Sequence, residues 1–382
     1  MVENLINCLT IFLLCVLCAG IVIPQILLIA FRKQLFDVPD ERKIHHSLVP
    51  RLGGIAFKPV ILFAMFLVIG VNLQLSNENV LELSLDAVCP LIFSFSAMVL
   101  LYLVGIADDL IGVKYRAKFI AQILAALMII AGGTWIDNLH GVLGIYGISP
   151  WVGYPFTVLV IVFIINAINL IDGIDGLASG LSATASLVYG FTFLMTEDYL
   201  YAMLSFATLG VLVPFFYYNV FGDPSKQRKI FMGDTGSLSI GIILAFLSIR
   251  IAMYPLNRCI INVNPLILAF TPLFVPCCDV VRVYMRRVRN GKNPFLPDKT
   301  HIHHKLLAVG LRQRPAMVTI VSCSLLLVIT NILLSKYLNI NLILVGDLAF
   351  WILVNIWLSR RAKTLNPKII YKSWITLKKI KI

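Results

Sequence analysis

This chain carries little charge. Asp, Glu, Lys and Arg together supply 13% of its 382 residues, against 59% hydrophobic residues and a mean hydropathy of +0.90. A soluble domain carries about a quarter charged residues, so that scarcity excludes one. There is also no convincing internal repeat, no low-complexity linker and no nucleic-acid motif, which leaves a single membrane domain over residues 1–382 as the economical description. A cleavable leader is not indicated either: Met1-Val2-Glu3-Asn4 has no positive charge, and Arg32-Lys33 follows the apolar run instead of preceding it. Of the eight cysteines only Cys15-x-x-Cys18 has redox spacing, and it lies within the first apolar run, where packing is the expected role.

What is present is a series of apolar stretches near 5–31, 53–73, 86–107, 117–133, 154–171, 177–195, 200–219, 236–253, 261–281, 316–336 and 340–358. Each approaches the roughly 20 helical residues that cross a hydrocarbon core. The expected fold is therefore an all-α polytopic membrane protein of about eleven transmembrane helices. With eleven spans, the loops at 32–52, 108–118, 220–235 and 282–315 and the tail at 359–382 share one side and hold 28 of the 32 Lys and Arg residues. Cationic loops stay in the cytoplasm, so the N-terminus is expected outside and the C-terminus inside. Much of the net charge of +13 then has a simple partner in anionic lipid headgroups, above all at the tail from Lys368 to Lys381.

Five acids stand at span ends on that same face without adjacent lysine partners: Asp108, Asp109, Asp172, Asp175 and Asp234. Carboxylates gathered at one depth repel, and a divalent cation neutralises them; an acid-and-amide oxygen set suits Mg²⁺, or Mn²⁺, better than Zn²⁺. Asp108 and Asp109 close the third span ahead of Lys114, Arg116 and Lys118, and adjacent residues point about 100° apart on a helix, so the two acids face different partners. More specific is Asn166-Ala-Ile-Asn169-Leu-Ile-Asp172-Gly-Ile-Asp175-Gly-Leu177, where oxygen-bearing side chains recur every third residue. That step spreads Asn166, Asn169 and Asp172 along one polar stripe, before Gly173 and Gly176 break the helix and admit a ligand close to the backbone. In Phe231-Met-Gly-Asp234-Thr-Gly-Ser237 the glycines allow a tight turn, Thr235 or Ser237 is suited to cap the following span, and the helix mouth offers free N–H groups to an anion such as phosphate.

The basic counterpart is His301-Ile-His303-His304, in the longest cytoplasmic loop beside Arg282, Arg286, Arg287 and Arg289. With no Cys and no i,i+4 histidine pair, phosphate binding and proton handling fit better than zinc. The first loop adds Arg42-Lys43-Ile-His45-His46 and Pro50-Arg51-Leu-Gly53-Gly54.

In this order the motifs resemble those of the polyprenyl-phosphate N-acetylhexosamine-1-phosphate transferases, over residues 37 to about 310. The resemblance implies a helical membrane enzyme that moves a sugar 1-phosphate from a UDP-sugar onto a phosphorylated isoprenoid at the cytoplasmic face, releasing UMP. It implies Asn169 and Asp234 as Mg²⁺ ligands, Phe231 stacking on uracil, and Asp172 and Asp175 near the nucleoside. Asp108 and Asp109 are similar to the pair assigned to lipid phosphate and catalysis, with Asp234 completing the catalytic acids. Lys43, His45, Asn166, Arg282, His301, His303 and His304 resemble substrate contacts. The interrupted histidine run and Asp279-Val-Val-Arg282 are similar to the N-acetylglucosamine-1-phosphate branch, not the muramoyl-pentapeptide branch. The partners so implied are UDP-N-acetylglucosamine, undecaprenyl phosphate, the bilayer and, at family level, a second copy as homodimer. Two rivals are weaker. A secondary transporter predicts charges near the midplane, and a CDP-alcohol phosphotransferase predicts Ala where Asp175-Gly-Leu-Ala-Ser179 has Ser.

Overall fold

The computed structural model describes residues 2–35, 49–75, 85–255, 263–291 and 300–365. Thirteen helices dominate them: α1 (Val2–Arg32), α2 (Phe57–Gln74), α3 (Leu85–Ile111), α4 (Tyr115–Ala131), α5 (Pro150–Ile171), α6 (Leu177–Met195), α7 (Tyr199–Phe216), α8 (Gly233–Ala252), α9 (Pro265–Phe270), α10 (Phe274–Arg289), α11 (Ile302–Ala308), α12 (Gln313–Leu334) and α13 (Ile340–Leu365). Ten helical segments among the described residues are long and apolar enough to cross a membrane. The protein is thus a multi-pass, helical membrane protein.

Burial sorts these helices into a centre and a rim. In α8, 94% of the apolar window is buried, against 28% in α1, α12 and α13, so α8 is the central post and the other three face lipid. It is flanked by α3, α5, α6 and α9. Its close neighbours touch it backbone to backbone where glycine removes the side chain. A Cβ on Gly105 of α3 would lie 2.4 Å from Thr235 Cα, and one on Gly54 would lie 2.0 Å from Gly236 N. Gly54 belongs to a short 3₁₀ turn, Gly53–Ala56, that leads into α2. The same logic fits Cys15 to packing: a Cβ on Gly210 of α7 would meet the Cys15 Cβ at 2.7 Å, and both Cys15 and Cys18 are free thiols.

The structure departs from the expected spans at three places. The fourth, expected at 117–133, is a helix of 17 residues at 115–131, which at 1.5 Å per residue is about 25 Å long. It begins beside Asp108, which Lys118 reaches at 2.8 Å. It is followed by a small antiparallel hairpin, β1 (Asn138–Val142) and β2 (Ile145–Gly147), which the hydropathy pattern did not reveal. His140 of the hairpin bonds the Ala252 carbonyl at the C-terminus of α8, so α4 runs from one end of the bundle to the other. The ninth span, expected at 261–281, is divided by a 3₁₀ turn at Thr271–Leu273, where Pro272 withholds an N–H, and α10 then continues to Arg289. Residues 256–262, at its expected start, lie outside the described residues. Finally, α7 closes in a π-helical turn at Tyr217–Phe221, a form frequent at functional sites.

Candidate active site

Chain direction brings the polar residues to one end. The C-termini of α3, α5, α7 and α10 and the N-termini of α4, α6, α8 and α11 meet there, held by hydrogen bonds between residues far apart in sequence. The midplane arrangement expected of a transporter is not seen in this cluster.

At its centre stands Asp234, in the first turn of α8. Asn169 of α5 donates from Nδ2 to Asp234 Oδ1 at 2.6 Å and to Ser237 Oγ at 2.7 Å. Lys118 Nζ lies 2.8 Å from Asp108 Oδ2 and 3.7 Å from Asp234 Oδ1, so one lysine of α4 serves two acids. Asp108 also accepts the Val113 N–H at 2.6 Å, and Lys118 bridges its carboxyl to that of Asp234. Two carboxyls so bridged share a cation.

Asp109 turns the other way. Its Oδ1 accepts the Asp234 N–H at 2.8 Å, and its Oδ2 accepts the Thr235 N–H at 2.9 Å and the Thr235 hydroxyl at 2.6 Å. It therefore caps α8 from a neighbouring helix, which corrects two expectations. Thr235 and Ser237 do not cap that helix themselves, since Thr235 is a donor to Asp109, and Ser237 accepts from Asn169 and donates to the Asp234 carbonyl at 3.4 Å. The helix mouth also does not present both of these amides free to phosphate, because a buried N–H finds a partner and Asp109 is it. Gly233, at φ +72°, makes the turn possible; a Cβ there would lie 2.1 Å from the Arg51 carbonyl.

Between α5 and α6 the chain breaks at Asp172 to Gly176, as the glycines imply, and Gly176 adopts φ +78°. Crowding by the surrounding protein, and then the charges of Asp175 and Asp234, raise the pKa of the Asp172 carboxyl, with Arg51 opposing, although the side chain itself opens on solvent. Asp175 pairs with Lys229 at 2.5 Å. The nearly buried Asn219, in the π turn, accepts the Gly176 N–H at 2.6 Å and donates to the Ile230 carbonyl at 2.8 Å. The α5–α6 turn is thus tied to the segment entering Phe231. Phe231 is half-buried, and its backbone pairs with Pro50 and Gly53 at 2.9 and 3.0 Å. Asn166 sits one turn deeper than Asn169 and is directed to Gln122 of α4 at 2.7 Å. The polar stripe therefore divides between two neighbours.

The histidines form a second group. His301 Nδ1 meets Asp279 Oδ2 at 2.8 Å, and Arg282 Nη2 donates to Asp279 Oδ1 at 2.7 Å and to the Thr300 carbonyl at 2.5 Å. His303 is 1% exposed, stacks parallel to His301 at 5.7 Å and lies against Gly173, where an added Cβ would be 2.3 Å from its Nε2. Burial, then the neighbouring His304 and His301, push its imidazole down to about 3, so the ring is neutral. His304 is 4.2 Å from His303, ring to ring. Lys43 and His45 lie outside the described residues.

Four contributors were missed as site residues by sequence reasoning: Lys118, Lys229, Gln122 and Asn219. Lys118 had a weak signal in its closeness to the Asp108-Asp109 pair. The other three are single polar residues whose partners stand 11 to 54 positions away.

The donors that meet at Asp234 fit a hard divalent cation. Asp108, Asp234, the Asn169 amide and the Ser237 hydroxyl offer only oxygen ligands once the amide is turned about, and amide orientation follows its network. Among the described residues no group of three His, Cys, Asp or Glu side chains could hold a metal alone. Mg²⁺ commonly binds one or two carboxylates and completes its shell with water and substrate phosphate.

Fold and site together define a polytopic helical membrane protein that, among the described residues, gathers carboxylates at one end of its bundle. The family model for glycosyl transferase family 4 matches residues 91–252, from α3 to the end of α8, and so spans the Asp108, Asn169 and Asp234 elements. The chain is 32% identical over 336 residues to the protein named "Probable undecaprenyl-phosphate N-acetylglucosaminyl 1-phosphate transferase" of Bacillus subtilis (strain 168), covering 87% of each. It is 31% identical to the undecaprenyl-phosphate alpha-N-acetylglucosaminyl 1-phosphate transferase of Yersinia pestis, over 80% of this chain and 78% of that one. To the decaprenyl-phosphate N-acetylglucosaminephosphotransferase of Mycobacterium leprae (strain TN) it is 30% identical, over 76% and 75%. The chain belongs to glycosyl transferase family 4, and within it matches the undecaprenyl-phosphate N-acetylglucosaminyl 1-phosphate transferase branch. Family membership makes it a transferase.

Proposed function

We propose that this protein transfers N-acetylglucosamine 1-phosphate from UDP-N-acetylglucosamine to undecaprenyl phosphate, releasing UMP and starting lipid-linked synthesis of a cell-surface polysaccharide. The observation that carries this reading is the meeting of Asp108, Lys118, Asn169 and Asp234 at the mouth of α8. Such a cluster suits the joining of two phosphorylated, mutually repelling substrates. The names of the similar proteins support the sugar donor and the polyprenyl phosphate acceptor alike.

Asp234 and Asn169, with Asp108 beside them, would hold Mg²⁺, which when bound neutralises diphosphate charge. An oxygen of the lipid phosphate attacks the β-phosphorus of the donor in line, the bond to the α-phosphate oxygen breaks, and UMP leaves with that oxygen. One phosphoanhydride is exchanged for another, so no ATP is consumed. Asp108 orients the lipid phosphate or takes its proton; Lys118 screens both acids. Phe231 stacks on uracil, with Asp172 and Asp175 on the nucleoside side, and Lys229 fixes Asp175. Asn166 shapes the same wall through Gln122. Arg282, His301, His303 and His304 contact the N-acetylglucosamine 1-phosphate group, and Lys43 and His45, outside the described residues, are further substrate contacts in this reading. Asp109 serves catalysis through the α8 turn that it fastens. We read α4 as the eleventh crossing, which puts the site on the cytoplasmic face of a bacterial cytoplasmic membrane, with the N-terminus outside and the basic tail inside.

The test is UMP release by detergent-purified protein given UDP-N-acetylglucosamine, with and without undecaprenyl phosphate and Mg²⁺. Release should need both additions and fall at least about 100-fold in Asp234→Asn, the scale for loss of an electrostatic stabiliser. Release from UDP-N-acetylmuramoyl-pentapeptide alone would overturn the donor. A second reading concerns the acceptor: the Mycobacterium leprae relative is named for decaprenyl phosphate, so chain length should be varied in the same assay.

A further inference from the structure

Asp279 is 0% exposed in α10, yet three donors converge on its carboxylate. Arg282 Nη2 and the Ile302 N–H reach Oδ1 at 2.7 and 2.9 Å, and His301 Nδ1 reaches Oδ2 at 2.8 Å. The Ile302 amide is the first of α11, and Arg282 also holds the Thr300 carbonyl, so the backbone on both sides of His301 is fastened to α10. His301 engages Asp279 through Nδ1, which fixes the ring's orientation and leaves Nε2 on its far edge. Stacked on it at an interplanar angle of 4° is His303, whose two ring nitrogens are buried with no hydrogen-bond partner among the described residues. A buried polar group normally has a partner, so these nitrogens mark a place where a ligand completes the site. The edge of that ring lies on Gly173, inside the turn that bears Asp172 and Asp175.

We propose that Asp279 is a positioning residue for the transfer reaction, acting through His301 and the Ile302 amide to hold the His301–His303 stack against the Asp172–Gly176 turn. The inference rests on the transferase reading above. Asp279 touches no substrate; it sets where His303 stands. Burial keeps the His303 ring neutral, able both to donate and to accept, which suits an uncharged amide or hydroxyl of the sugar better than a phosphate.

The decisive comparison is between two substitutions of His301 in the full-length, detergent-purified protein. In His301→Asn the side-chain amide reaches the position of Nδ1 and preserves the bond to Asp279. In His301→Gln it extends to the position of Nε2 and does not. UMP release should be about tenfold faster in the Asn variant than in the Gln variant, and Asp279→Asn should lose about 10- to 100-fold, as outer-sphere partners of functional histidines do. Carbethoxylation of His303, read by peptide mass spectrometry, gives a measure independent of activity. His303 should be protected in wild type and His301→Asn and modified in His301→Gln and Asp279→Asn. Equal or faster turnover in His301→Gln, or unchanged protection across the series, overturns the proposal even if Asp279→Asn fails to fold. A wild-type protein that releases no UMP from any UDP-N-acetylhexosamine overturns the transferase reading instead, and the labelling pattern then decides the clamp by itself.

Discussion

Neighbouring residues of one type take opposite duties here. Asp108 and Asp109 are consecutive carboxylates at the end of α3, but the first faces Lys118 and Asp234 while the second caps α8. The rotation of about 100° per helical residue makes that division available. His303 offers a similar contrast with its neighbours, because its burial outweighs the offsetting charge of Asp279. Its pKa falls from 6.5 to about 3, so between those values an unfolded chain binds a proton that the native ring refuses. Stability from this group is therefore complete above about 6.5 and is lost as the pH falls below it. Between pH 7 and 5 the melting temperature of His303→Phe should therefore rise relative to that of wild type, the Asp172 carboxyl contributing in the opposite sense to both proteins. An equal slope in the two proteins would show that other groups govern the acid limb.

Between elements, contact is set by missing side chains as much as by present ones. Gly105→Ala would bring a methyl group to 2.4 Å from Thr235 Cα, a backbone atom that cannot swing aside. Overpacking of this kind costs about 1–3 kcal/mol, and prying α3 from α8 would also move Asp109 off the amides it caps. Gly20→Ala in α1 meets nothing within 4 Å and should be neutral or stabilising by about 0.5–1 kcal/mol. Thermal unfolding of the pair, with UMP release alongside, checks both expectations. Much at this scale was legible in the sequence: the break at Gly173 and Gly176 and Asp234 at a helix mouth are local patterns that dictate local structure. The α4 helix was legible as apolar, but its hairpin sequel was not, since β1 and β2 span eight residues with four left-handed backbone positions between His140 and Gly144. Asn219 and Lys229 were illegible for another reason. A lone Asn in an aromatic run, or a lone Lys in a basic loop, gains meaning only from the residue it meets across the fold.

For the molecule as a whole, the alternation of helix directions makes orientation testable at two points. Leu143, 84% exposed in the hairpin, and Gln227, exposed beside Phe231, belong to opposite ends. With the native cysteines replaced, Leu143→Cys should react with an impermeant maleimide in intact cells or spheroplasts, and Gln227→Cys only after permeabilisation. The reverse pattern would put the carboxylates outside and remove the cytoplasmic UDP-sugar as donor. The glycine junction of Gly54, Gly105 and Gly236 has a further consequence at this scale. Three backbones in contact leave no slack, so α3, α8 and the Gly53–Ala56 turn form a fixed jaw. Opposite it stand the Asp172–Gly176 turn and the seven-residue α11, joined to the rest through side chains. Entry of a bulky lipid phosphate and departure of a nucleotide must then be accommodated on that second side, and hydrogen exchange during turnover should quicken there while the glycine junction stays silent.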